Sequence, residues 1–147
     1  MVTQITTKFM INTSANEVFE AIVDPKKIGG FWFSSSSERW EQGKTIILRY
    51  DEYEAEGAIN VLEVEKAKKI VFSWGGEHGE ETVVTITIKE LDSTKAIIEV
   101  NESGFKEDDP EIVNKILGQK EGWVYMLTCL KGYLENGVNN LRAALIH

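Results

Sequence analysis

The chain has 147 residues, of which 42% are hydrophobic and 27% charged, enough to bury a sizeable core without a disulfide or a metal to hold it together. Its 16 lysines and arginines stand against 24 acidic residues, a net charge of -8, so the long-range field repels polyphosphate and anionic membrane and argues against a nucleic-acid partner. No apolar run approaches the roughly 20 residues needed to span a bilayer, and a single cysteine, Cys129, rules out an internal disulfide and a cysteine-based metal cage.

Val2 to Ile11 alternates, with Ile5, Thr7, Phe9 and Ile11 on one face, as a half-buried strand does. This stretch has no basic segment leading into an apolar one, so no secretory signal is read and a cytoplasmic location is expected. Ser14 followed by Glu17 has the form of a capping box at a helix start, and Val18, Phe19 and Ile22 give that short helix an apolar face. Asp24-Pro25 ends it and permits a second short helix, which Gly29 and Gly30 stop. The aromatic cluster Phe31-Trp32-Phe33 follows, and Ser34 to Ser37 reads as a flexible loop.

Five strand-like segments come next, Thr45–Tyr50, Ala55–Val64, Lys69–Trp74, Thr82–Glu90 and Thr94–Val100, separated by turns too short for parallel crossovers. The pairing is therefore expected to be antiparallel, with Ile70, Phe72 and Trp74 on one face of their strand and Ala96, Ile98 and Val100 on one face of theirs. Lys66, Lys68 and Lys69 are read as a solvated turn. Asp109-Pro110 supplies a cap and first-turn proline for the strongest helical pattern in the chain. At 100° per residue Ile112, Ile116, Leu127, Leu130, Leu134 and Leu141 fall within about 40° of Trp123, and Gly137 is the natural C-cap. A helix from Pro110 to Asn136 would be roughly 40 Å long, enough to cover the buried face of a six-stranded sheet. One domain over 1–147 is expected: an α+β helix-grip arrangement of six curved antiparallel strands, two short helices and a long C-terminal helix.

In that order the sequence resembles the START-like superfamily, also called Bet v 1-like or SRPBCC, and within it the activator-of-heat-shock-protein-90-ATPase-like family. The matching residues are Val18-Phe19 with Asp24-Pro25, Phe72-Ser73-Trp74, Val84-Thr85-Ile86-Thr87-Ile88, Glu102-Ser103-Gly104-Phe105, and Gly122-Trp123 with Leu127, Leu130, Tyr133, Leu134 and Glu135. The serine run at Ser34 to Ser37 and the turn Gly75-Gly76-Glu77-His78-Gly79 depart from the pattern, both at an expected cavity mouth. The resemblance implies a fold that hosts lipid carriers, cyclases, hydroxylase subunits and co-chaperone domains without one shared reaction. In the eukaryotic co-chaperone of that family this domain is one part of a larger protein, and within these 147 residues a separate chaperone-binding domain is not expected.

The chain offers two histidines, His78 in a glycine turn and His147 at the end, neither placed for proton transfer, and no metal-ligand spacing, phosphate loop or nucleophile elbow. No cofactor and no catalytic group are assigned. Cys129 lies in a helical pattern and is read as a packing residue. The aromatic residues Phe31, Trp32, Trp74, Phe105 and Trp123 mark a candidate cavity between sheet and helix, with Leu127 and Leu130 on the helix stripe and Tyr50 and Gln119 as polar anchors. Arg49 alternates with Tyr50, so the two cannot both face inward, and it is expected to pair with Asp51, Glu52 or Glu54. The expected function is non-enzymatic binding of a small hydrophobic, lipid-like or aromatic molecule. A protein-binding domain with a chaperone as partner stands second and a cyclase or hydrolase third; a monomer and a homodimer are both open.

Overall fold

The computed structural model describes residues 3–75 and 81–146; His78 and its turn, apart from Gly75, lie outside the described residues, as does His147. The elements, in chain order, are β1 (Gln4–Ile11), α1 (Ala15–Val23), β2 (Ser35–Ser36), β3 (Thr45–Tyr50), β4 (Ala55–Glu65), β5 (Lys69–Trp74), β6 (Thr82–Asp92), β7 (Lys95–Ser103) and α2 (Ile112–Asn136). All strand pairs are antiparallel, and the order across the sheet is β1-β7-β6-β5-β4-β3-β2.

The sheet has seven strands, not six. The seventh is Ser35–Ser36, where the serine run pairs with β3 through Ser35 opposite Arg49 and Ser36 opposite Leu48. Two of the run's hydroxyls are hydrogen-bonded here: Ser36 Oγ donates to Glu38 O at 2.8 Å and accepts from Trp40 Nε1 at 3.2 Å, and Ser37 Oγ accepts from Ile47 N–H at 2.9 Å. The expected second short helix is a single 3-10 turn, Ile28–Gly30. The Asp24 carbonyl and carboxylate hold this connection, accepting from Lys27 N–H and Lys26 N–H, each at 2.9 Å.

Each strand buries the alternate residues its pattern predicts. One inward row crosses the sheet as Val64, Ile70, Ile86, Val100 and Thr7; the next runs Val61, Phe72, Val84, Glu102 and Ile5. A bulge in β4 between Val61 and Glu63 puts Leu62 out to solvent and adds local twist. α1 starts on Ser14, whose Oγ accepts from Glu17 N–H at 3.2 Å, and buries Val18, Phe19 and Ile22.

α2 is about 37 Å long and unbroken through Gly118 and Gly122. It begins at Ile112, two residues after Pro110, and the Asp109 carboxylate accepts from Glu111 N–H at 2.8 Å in the preceding turn. Gly137 ends the helix with φ of 67°, a left-handed conformation that glycine adopts without steric cost. Leu141 therefore lies beyond the helix and off its buried stripe. Three side chains pin α2 to the edge strand β1 and the residue just after it: Lys120 Nζ donates to Thr6 O at 2.7 Å, Lys131 Nζ to Met10 O at 3.0 Å, and Glu135 accepts from Asn12 N–H at 2.8 Å. No helix among the described residues is long and apolar enough to cross a membrane.

Close approach at Gly30 fixes how the 3-10 turn meets α2, since a Cβ there would stand 2.3 Å from the Tyr133 ring. That ring stacks on Phe31 at a centroid distance of 5.9 Å. Gly30→Ala should destabilise the fold by about 1–3 kcal/mol, the usual range for overpacking, read as a lower midpoint in urea unfolding.

Candidate functional site

Glu102 stands at the centre of the sheet–helix interface. The alternation that buries Ala96, Ile98 and Val100 continues along β7 to residue 102, so a carboxyl occupies an inward position in an otherwise apolar row, with 1% of its surface exposed. Burying a carboxyl without partners is costly, and the fold surrounds it with donors. Oε1 accepts from Trp123 Nε1 at 2.8 Å and Gln119 Nε2 at 2.9 Å; Oε2 accepts from Thr82 Oγ1 at 2.6 Å and Trp74 Nε1 at 3.0 Å. A carboxylate offers about four lone-pair sites, and here four neutral donors meet them.

Those bonds orient the aromatic wall. The Trp74 and Trp123 rings stack at 5.5 Å and 25°, each presenting its N–H to a different oxygen of Glu102. Trp32 meets Trp123 edge-on at 5.6 Å and lies tilted against Trp40 at 6.0 Å, and Trp40 packs on Phe72 at 5.3 Å.

Two cavities flank this wall. The larger, about 440 Å³, is bounded by Phe33, Ile59, Trp74, Glu102, Phe105 and Gln119, with Lys115 at its side. The smaller, about 290 Å³, lies between the Phe31–Phe33 turn, Tyr50 of β3, the middle of α2 and the segment after it, which contributes Arg142 and Leu145. Phe33, Trp74 and Gln119 border both. The larger volume lies within the roughly 300–1,000 Å³ of small-molecule pockets.

Of the residues the sequence singles out, Trp74, Phe105 and Gln119 border the larger cavity, and Phe31, Trp32, Tyr50 and Trp123 the smaller. Leu127 and Leu130 are fully buried packing residues and line neither. Cys129 is buried too, and loss of solvent raises its thiol above the ordinary value. Arg49 points outward and meets Asp51 at 3.5 Å and Glu56 at 3.9 Å; Glu52 is engaged elsewhere.

The partner of Glu52 is Arg142. Its guanidinium donates to both Glu52 oxygens at 2.6 and 2.9 Å, to Ser34 Oγ at 2.9 Å and to Trp32 O at 2.6 Å, and lies 5.6 Å from the Tyr50 ring centroid. Tyr53 Oη donates to Leu145 O at 3.2 Å, and Tyr125 Oη donates to Leu141 O. The segment after α2 is thus clasped across the smaller cavity. Burial raises the Tyr50 phenol to about 12 against the opposing pull of Arg142, while the hydrogen bond from Arg142 lowers Glu52 to about 2.

Sequence reasoning missed Glu102 and Arg142 as site residues. The signal for Glu102 was the continued period of two past Val100; Arg142 has no local signal.

Residues 12–135 match the family described as activator of Hsp90 ATPase homolog 1-like protein. The chain belongs to that family. Among solved structures, this Hsp90-activator-like chain is similar to protein SSP2350 of Staphylococcus saprophyticus, at 52% identity over 92% of this chain and 94% of that one, with a TM-score of 0.80. It shares its fold with the Aha1 dimer of Colwellia psychrerythraea, at 18% identity over 93% and 98% of the two chains and a TM-score of 0.77. DynU16, from the dynemicin biosynthetic locus, has the same fold at 21% identity and a TM-score of 0.81, over 97% of this chain and 50% of that one. None of the curated proteins matches the chain.

Two outcomes follow from the polar contacts. Thr82→Val keeps the shape and removes one donor to a buried carboxyl, so it should cost about 1.5–3 kcal/mol, the range for hydrogen bonds to charged groups, measured by denaturant unfolding. Glu52 titrates below its ordinary value of 4.5 in the folded protein, so its stabilising contribution is full above that value and is lost as pH falls through about 2. Melting temperature followed from pH 6 down to pH 2 should fall less steeply in Glu52→Gln than in the parent chain.

Proposed function

We propose that this protein binds a small apolar or amphipathic molecule in the larger cavity, between the concave face of the sheet and α2. The observation that carries the reading is a cavity of about 440 Å³ walled by aromatic and aliphatic side chains, with Glu102 as its buried charged-type group. Apolar walls with few placed polar groups are the usual make-up of a small-molecule site. Binding is favoured over catalysis because the acceptor positions of Glu102 are already taken by four donors, which leaves it poorly placed as a general base. The family's other members on this fold do not fix one activity.

A second reading, contact with a second copy of the chain, has its own observation. Val113, Leu117 and Val124 are exposed on α2, and at 100° per residue they fall within about 40° of one another, forming an apolar stripe on the outer face of the helix. The Aha1 protein of Colwellia psychrerythraea is a dimer.

Native and denaturing mass spectra of the freshly purified protein test both readings. A reproducible extra mass in the native spectrum, lost on denaturation, is the expected result and gives the class of cargo. An apo monomer that also gains no mass after incubation with fatty acids and flavonoids would sink the carrier reading; an apo dimer would turn the assignment toward protein contact.

A further inference from the structure

We infer that the occupant of the larger cavity is an apolar molecule carrying a hydrogen-bond donor, a hydroxyl or more favourably an ammonium group, and that Glu102 receives it. This rests on the carrier reading above and narrows it to a ligand class.

The sign of the hydrogen bonds makes the selection. Both oxygens of Glu102 act as acceptors, and the four groups that meet them, two indole N–H groups, one hydroxyl and one amide, are all neutral. Neutral donors offset only part of what a buried carboxylate loses on leaving water. Three of the four are fixed: Trp123 is 3% exposed and stacked on Trp74, and Thr82 is buried within β6. Gln119 differs. It is half-buried, reaches in from α2 on a flexible side chain and borders both cavities.

Gln119 is therefore the donor displaced at least cost. When its amide swings aside, the vacated position on Glu102 Oε1 opens into the cavity, and only another donor can fill it. A ligand hydroxyl replaces one neutral donor with another. An ammonium adds a charge-assisted bond, about twice as strong as a neutral one, and supplies the counter-charge the four present partners lack. A ligand carboxylate sets acceptor against acceptor and brings a second negative charge into a low-dielectric space. Lys115 borders the same cavity, but its ammonium donates to the Asp109 carboxylate, so the cation there is already engaged. The net charge of -8 acts in the same direction at long range, raising the local concentration of cations over anions.

Titration calorimetry of the full chain with three probes that share one naphthyl body, 1-naphthylmethylamine, 1-naphthalenemethanol and 1-naphthoate, tests the inference, with thermal shift as a second readout. The expected order of affinity is amine, alcohol, carboxylate, with the amine tighter than the carboxylate by about tenfold or more. Gln119→Ala, which vacates the acceptor and leaves Glu102 with three donors, should tighten the amine and the alcohol and leave the naphthoate unchanged. Glu102→Gln, if it folds, should abolish the order. Naphthoate binding as tightly as the amine, or a Gln119→Ala chain that loses amine affinity, overturns the donor preference while leaving the carrier reading standing. Neither heat nor thermal shift with any of the three overturns the carrier reading and the preference together.

Discussion

A carboxyl group buried in a sheet of apolar rows is the constraint on which the rest of this interface depends. Left unpaired it would cost several kcal/mol, and no single one of its four neutral neighbours meets both of its oxygens. The donors come from three elements, Trp74 on β5, Thr82 on β6, and Gln119 and Trp123 on α2. Sliding α2 along the sheet by one turn would break two of the four bonds at once. Hydrophobic packing alone tolerates such slippage, because one apolar stripe can rest on many apolar rows; directed bonds to a fixed acceptor do not. Farther along the helix Lys120, Lys131 and Glu135 do the same against β1, so α2 is held in register at both the centre and the edge of the sheet.

The same bonds explain why space remains beside the aromatic wall. Protein interiors close-pack when side chains can rotate to fill gaps. Here the two indoles are held by their N–H groups as well as by their rings, and cannot turn into the neighbouring volume without leaving Glu102 unsatisfied. On the opposite wall Gly57 of β4 has nothing within 4 Å of where a Cβ would lie, so the sheet offers no side chain there to close the gap. Cavity and polar knot are thus one arrangement.

The regular elements were legible because each has its own period. Alternation located β1 and β3 to β7, and the 3.6-residue stripe located α2 together with its Gly137 stop. Two features escaped for different physical reasons. Ser34 to Ser37 has the composition of a solvated loop, and only pairing with Leu48 and Arg49 of β3 makes two of those serines a strand; edge pairing of this kind leaves no mark in local sequence. The segment expected over Thr94–Val100 runs on to Ser103 as β7. A polar residue at an inward position looks like the end of a strand until its partners are known, and those partners lie 17 to 28 residues away in sequence. Buried polar groups that serve a site are where a hydrophobic-pattern reading is expected to fail.

The two polar closures of this interface differ in kind, and the difference bears on which can open. Glu102 is 1% exposed, so its bonds are shielded from dissolved salt. Arg142 also makes its bonds at a site chosen by distant residues, Glu52 and Trp32 lying 90 and 110 positions earlier. Its carboxylate partner, however, is 40% exposed, so the pair is screened by dissolved ions and water can replace either partner. Local opening concentrates where hydrogen bonds are solvated and buried apolar contacts few. Both conditions hold for the segment after α2 and neither holds around Glu102, so the smaller cavity is the one the fold can uncover without loosening its core.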